Sequence, residues 1–151
     1  MRLRSVFHFR SIGAYRAVMS TTLTCPISRA HLIAVNVRDP DAAIAFWRDK
    51  IGFTVQSDAA YGEGDRWIEV IPPGAQTGLT LVGPANQNWS EPEDWSPALF
   101  ACDDIDRAVS ELAARGVEFT GPVMRMEGGA PPMAFFLDQD GRRFLLAERT
   151  D

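Results

Sequence analysis

An internal repeat is the feature that most limits how this 151-residue chain can fold. Asp39-Pro40-Asp41 is followed by Ala43, Ile44, Trp47 and Gly52. The pattern returns 65 positions later as Asp104-Ile105-Asp106, Ala108, Val109, Leu112 and Gly116, with one residue lost before the glycine. The last strand-like runs, 79–81 and 144–146, keep the same offset. A duplicated unit of this length predicts two similar halves in one domain, so a site between them is built from equivalent positions.

Composition and charge narrow the class of partner. The chain is 46% hydrophobic and 23% charged, has a net charge of −5, and has no apolar run long enough to span a membrane. An acidic chain disfavours nucleic acid as a partner and is compatible with a cationic small molecule. Cys25 and Cys102 have neither zinc-site spacing nor a disulfide framework, which predicts free thiols and a cytoplasmic location.

The first 28 residues differ from the rest because they contain four arginines and no acid. We expect this extension to lie outside the fold, as a tail or the product of an upstream start. A targeting peptide or an added strand is the alternative. The predicted domain is 29–151, with a first unit at 29–83, a linker at 84–96 and a second unit at 97–148.

Each unit reads as βαβββ. Asp39 and Asp104 are predicted helix caps, and Gly52 and Gly116 are predicted helix ends. One helix covers only one face of its sheet, so the two uncovered faces are expected to meet or to curl around a cavity. The fold class is α+β. Strands are predicted at 31–37, 53–56, 66–71, 78–82, 98–102, 117–120, 133–137 and 143–147, from apolar alternation and turn residues.

Two phrases carry a resemblance to a known family. Asp39–Phe53 reads DPDAAIAFWRDKIGF, and Phe135–Phe144 reads FFLDQDGRRF. In this order, over about residues 30–148, they make the chain resemble the vicinal oxygen chelate superfamily, which includes glyoxalase I, extradiol dioxygenases and the bleomycin and fosfomycin resistance proteins. The resemblance implies a pair of half-barrels with a cleft between the sheets.

The resemblance also implies where a divalent metal would bind, through His or Glu on the first and last strands of each unit. The matching positions are Leu32, Thr80, Pro97 and Leu145, and none is a usual metal ligand. His31 is the neighbouring candidate, but its side chain reaches the cleft only through a register slip or a bulge. We therefore expect no metal, no cofactor and no catalytic residue.

The predicted function is metal-independent binding of a small aromatic or cationic molecule, as the resemblance to bleomycin-resistance-type proteins implies. Aromatic faces attract planar or cationic ligands, and acidic groups attract cations. For Trp67 and Glu69 the alternative is a dimer interface or a solvated face. Trp89 and Trp95 form either a lid over the cleft or a contact that covers an exposed sheet edge. The predicted cleft residues are Asn36, Trp67, Glu69, Thr80, Trp89, Trp95 and Phe136.

Other interpretations stay open at this point. The chain fits a glyoxalase-like lyase, isomerase or dioxygenase with unplaced metal ligands, or a metal-free enzyme that uses Glu69 as a base. It also fits an interaction module whose sheet face only dimerises. We expect a homodimer, with units exchanged between chains as one arrangement. The segment from Met124 to Pro132 is a mobile flap or, more simply, a long hairpin loop.

Overall fold

The internal repeat appears as two copies of one topology in the computed structural model, which describes residues 24–149. The first unit contains β1 (Leu32–Asn36), α1 (Pro40–Ala45), a π-helical segment (Phe46–Ile51), β2 (Thr54–Tyr61), β3 (Asp65–Ile71) and β4 (Gly78–Val82). The second contains β5 (Trp95–Cys102), α2 (Ile105–Ala114), β6 (Glu118–Phe119), β7 (Met133–Leu137) and β8 (Arg143–Glu148). The α+β class predicted from the sequence is confirmed, while residues 1–23 of the predicted extension lie outside the described part.

The two sheets have the same strand order. The first sheet is β1-β4-β3-β2 and the second is β5-β8-β7-β6. In each, the first strand pairs in parallel with the last, and the remaining pairs are antiparallel. Thr80 lies opposite Ala34 and Glu69, and Leu145, 65 positions after Thr80, lies opposite Leu99 and Phe135. Residues 65 positions apart in the sequence therefore occupy equivalent positions in the two sheets.

The first unit has one more residue before its glycine than the second, and a π-helical turn accommodates it. The Gly52 amide donates to the Trp47 carbonyl oxygen five residues earlier at 3.0 Å, the bond of a π-turn. In the second unit α2 stays α-helical, and Gly116 follows the capping aspartate one residue sooner than Gly52 does. Both glycines are left-handed, with φ of 95° at Gly52 and 84° at Gly116, as the predicted helix ends require.

Predicted caps form at both helix starts. Asp39 accepts the amides of Asp41 and Ala42, and Asp104 accepts the amide of Arg107. These bonds satisfy backbone donors that have no partner within the helix. Within residues 24–149 no helix is long and apolar enough to cross a lipid bilayer.

The core lies on the helix-covered side of both sheets and is continuous between the units. Trp47 is fully buried, as its place on the apolar stripe of the helix predicts. Its ring lies 5.2 Å from Phe53, in its own unit, and 5.7 Å and 5.0 Å from Phe100 and Phe144, in the other. A side chain of the first unit thus completes the core of the second.

Candidate functional site

Each sheet has one face that no helix covers, and we call these the two open faces. On the other faces Val35 and Ile68 are fully buried under the helices. On the open faces Trp67, Trp95 and Leu99 are 41%, 45% and 58% exposed. Strand alternation produces this division, because successive side chains point to opposite sides of a sheet.

Four of the predicted cleft residues share the open face of the first sheet. Thr80 is opposite Glu69 in β3, and Asn36 and Trp67 lie further along β1 and β3 on the same side of the pleat. The register therefore brings together Asn36, Trp67, Glu69 and Thr80, which come from three strands.

Trp67 and Glu69 are hydrogen-bonded to each other on this face. The Trp67 indole Nε1–H donates to Glu69 Oε1 at 2.6 Å, which fixes the ring plane beside the carboxylate. Glu69 is half-buried, and no Lys or Arg within residues 24–149 forms an ion pair with it. The second carboxylate oxygen has no protein donor there, so the face presents a negative charge next to an aromatic surface.

Tyr61 extends this aromatic surface, and sequence reasoning missed it. Its ring centroid lies 5.8 Å from that of Trp67. β2 runs on to Tyr61, whereas the sequence predicted a strand ending near residue 56. The signal was the pair of glycines Gly62 and Gly64, both at positive φ, which allow the tight return into β3.

Two adjacent cavities lie along this face, and we call them together the groove. The first, of about 290 Å³, is lined by residues that include Tyr61, Trp67 and Thr80. The second, of about 230 Å³, reaches the second unit at Trp95 and Pro97. Ala34 and Asn36 line both cavities, so the groove is continuous from β3 across β1 to β5.

The connector between the units, residues 83–94, forms one wall of the groove. Ser90 accepts a hydrogen bond from Asn36 Nδ2 at 2.8 Å, and Glu91 pairs with Arg38 at 2.9 Å. Trp89 is half-buried and its Nε1–H donates to the Val37 carbonyl oxygen at 2.9 Å. Trp89 therefore fixes the connector to the end of the edge strand β1.

The structure corrects the placement of Phe136. This residue is 2% exposed and stacks on Phe144, with ring centroids 5.5 Å apart, inside the core. The neighbouring Phe135 instead contacts Trp95 on the open face of the second sheet, at 5.4 Å between centroids. The register of β7 on β8 decides which of two adjacent phenylalanines faces inward, and hydrophobicity alone does not distinguish them.

Charges around the groove are mostly paired. Arg66 bridges Asp58 and Asp41, each at 2.7 Å, and its guanidinium holds the pKa of the Asp58 carboxyl below its usual range. Glu93 and Arg142 line the end near Trp95, where the Arg142 Nε–H donates to the Glu93 carbonyl oxygen at 3.1 Å. Arg66 and Arg142 thus line the groove together with Glu91 and Glu93, while Glu69 lines neither cavity and stands beside the exposed Trp67 ring.

The loop between β6 and β7 is fixed at its base. Met124 and Met133 exchange two backbone hydrogen bonds, and Arg125 forms an ion pair with Asp106 at the start of α2. This arrangement is that of a long hairpin loop.

Comparisons with known proteins agree with this architecture. The family model of the Glyoxalase/Bleomycin resistance protein/Dioxygenase superfamily matches residues 29–146. The chain belongs to this superfamily. The uncharacterized protein YetH of Bacillus subtilis (strain 168) is 37% identical over 122 residues, which cover 81% of this chain and 99% of YetH.

Two solved structures are similar to the chain over most of its length. A superfamily member from Sphaerobacter thermophilus DSM 20745 superimposes with a TM-score of 0.75 at 32% identity, over 82% of this chain and 98% of that one. TnmS3, an antibiotic binding protein from Streptomyces sp. CB03234, has a TM-score of 0.70 at 30% identity, over 84% and 100% of the two chains.

The positions at which superfamily enzymes hold a divalent metal can be tested on this fold. Leu32, Thr80, Pro97 and Leu145 all lie on the open faces, but three of them have hydrocarbon side chains and the fourth a neutral hydroxyl. His31 precedes β1 and is exposed. No group of three or more His, Cys, Asp or Glu side chains within residues 24–149 is arranged to hold a metal ion. The residues present therefore do not fit the metal that the family implies.

Proposed function

We propose that this superfamily member binds and sequesters a planar aromatic cation in the groove, without a metal ion or other cofactor. The contacts we assign are Asn36, Trp67, Glu69, Thr80 and Trp95. The observation that carries the proposal is the half-buried Glu69 carboxylate, which has no cationic partner in residues 24–149 and stands beside the exposed Trp67 ring.

The chemistry of this pair favours a flat positive ligand. A cation over an indole face is attracted by the ring quadrupole, and a nearby carboxylate adds a Coulomb attraction. A groove built of two cavities of about 290 and 230 Å³ has room for a two-ring molecule. Similarity to an antibiotic binding protein gives independent support.

Titration calorimetry with a matched pair of ligands tests the proposal. 1-Methylquinolinium is a planar cation, and 1-methylnaphthalene is its neutral counterpart of nearly equal shape. We expect the cation to bind more tightly, and Trp67→Ala to weaken both ligands because it removes the shared stacking surface. Equal affinities for the two ligands, or unchanged affinities in Trp67→Ala, would sink the idea.

We also propose that two copies associate through the open face of the second sheet. Leu99 is 58% exposed there, and Leu145 lies beside it on the same face. A second copy would remove this apolar surface from water. We expect light scattering to show a dimer, and Leu99→Asp to shift it to monomer without loss of fold. A monomer at all concentrations would contradict the proposal.

We also propose that the protein is cytoplasmic, because Cys25 and Cys102 are both free thiols.

A further inference from the structure

The two units differ most on the helix-covered side. In the first unit Phe46 and Trp47 are 6% and 0% exposed. The equivalent residues 65 positions later are Glu111, which is exposed, and Leu112, which is half-buried. α2 therefore presents one carboxylate and one smaller apolar side chain where the first helix presents two buried rings.

A pocket of about 240 Å³ lies beside these two residues, in the seam between the units. Its walls are largely apolar and come from both halves, with Ile51 and Phe53 on one side and Phe100 and Leu112 on the other. These four side chains are only partly buried. Phe100 and Leu99 point to opposite faces of β5, so the pocket is separated from the groove by the second sheet.

Two charged side chains line the pocket, the acid Glu111 and the base Arg115. Along α2, Glu111 pairs with Arg107 at 2.9 Å and, more loosely, with Arg115 at 3.8 Å. The remaining contacts of the Arg115 guanidinium are long, at 3.4 Å to the carbonyl oxygens of Lys50 and Ile51. Glu111 is engaged mainly by Arg107, so the Arg115 guanidinium at the pocket is only loosely paired.

We propose that this pocket is a second binding site, for a small aromatic or short-chain monocarboxylate. The apolar part of the ligand fills the space that Phe46 and Trp47 fill in the first unit, and its carboxylate pairs with Arg115. The volume is sufficient, because an engineered cavity of about 150 Å³ lined by Leu, Ile and Phe already holds benzene. Water is a poor occupant of such walls, since it needs two to four polar partners.

Cys102 is the reporter for this site, because its side chain lines the pocket and only one other cysteine exists in the chain. In full-length Cys25→Ser protein, Cys102 alone reacts with iodoacetamide. Burial raises the pKa of the Cys102 thiol, so the reaction is followed at alkaline pH. We expect benzoate at about three times its Kd to slow alkylation about fourfold by mass action. Benzylamine, with the opposite charge, is expected to protect Cys102 less than benzoate does at the same concentration.

Two variants at Glu111 distinguish the loss of pocket volume from the loss of the negative charge of this residue. Glu111→Phe places in α2 the residue that the first unit has at the equivalent position, and should abolish protection by benzoate. Glu111→Gln removes the same negative charge without filling the space, and should keep or strengthen protection. Because the Glu111 side chain is 49% exposed, both variants are expected to fold, as thermal melting will show. Arg115→Gln should weaken benzoate about two- to fivefold, the range of an exposed ion pair.

Three results would overturn the second site. The first is no protection of Cys102 by benzoate up to about 20 mM, well above a millimolar Kd. The second is equal protection by benzoate and benzylamine. The third is wild-type benzoate affinity in a folded Glu111→Phe protein. None of these depends on the groove, where 1-methylquinolinium is the probe and Cys102 is not a lining residue.

Discussion

Glu69→Gln tests how much of the ligand affinity in the groove comes from charge. The substitution keeps an oxygen that can accept the 2.6 Å hydrogen bond from Trp67 Nε1, so the ring plane is retained while the negative charge is lost. Since the site is half-buried and the backbone pairing of β3 is untouched, we expect the free energy of unfolding to change by less than about 0.5 kcal/mol.

The expected loss of affinity follows from Coulomb's law. A cation about 4 Å from the carboxylate gains roughly 1 kcal/mol at the dielectric constant of water and about 4 kcal/mol at an effective value near 20. Glu69 is neither fully exposed nor fully buried, and the cation loses hydration on binding. We therefore expect a loss of about 1–2 kcal/mol, or roughly five- to thirtyfold in Kd for 1-methylquinolinium.

The neutral ligand and a second variant provide the controls. Binding of 1-methylnaphthalene should change less than about twofold in Glu69→Gln, since no charge is involved. Glu127→Gln makes the same chemical change in the exposed loop between β6 and β7, away from both the groove and the seam pocket, and should leave both ligands unaffected. Added salt should weaken the cation's binding to the wild type more than to Glu69→Gln. Equal losses for cation and neutral ligand in Glu69→Gln would refute the charge argument, as would no loss for either.

Two further predictions concern stability. Burial raises the pKa of the Asp138 carboxyl, whose Oδ1 accepts the amides of Asp140 and Arg142 while Oδ2 has no partner in residues 24–149. Because the native pKa lies above the unfolded one, this group's contribution to stability is largest at low pH and falls as pH rises through the native pKa. The melting temperature of Asp138→Asn minus that of the wild type should therefore rise between about pH 3.5 and pH 7. A difference that stays constant or falls over this range would contradict the prediction. Asp39→Ala removes an acceptor for two amides at the start of α1 and should lower the free energy of unfolding by about 1 kcal/mol in urea titrations, with Asp39→Asn close to wild type.

Local periodicity was sufficient to predict most of the architecture. Alternation in β1 and β3 assigned Val35 and Ile68 to the core and Asn36 and Trp67 to the open face, because a strand with one covered face alternates its side chains. Capping by Asp39 and the left-handed Gly52 followed from backbone rules that involve few neighbours.

Features that depend on pairing between distant segments could not be predicted in this way. Phe135 and Phe136 are chemically identical, so only the register against β8 shows that Phe136 is the buried one. The extension of β2 to Tyr61 depends on its pairing with Asp65 in β3. The pocket beside Glu111 arises from a difference in side-chain volume between equivalent positions, and it is visible only once both units are packed together.

The placement of Trp47 has a consequence for how the molecule denatures. By sequence it belongs to the first unit, yet its ring packs against Phe100 and Phe144 of the second. If the first unit opened alone, the second would be left with a hole where this ring had been, a change that in other cores destabilises by about 3–5 kcal/mol. A partly opened molecule is disfavoured to that extent, so the duplicated halves are expected to unfold in one cooperative transition.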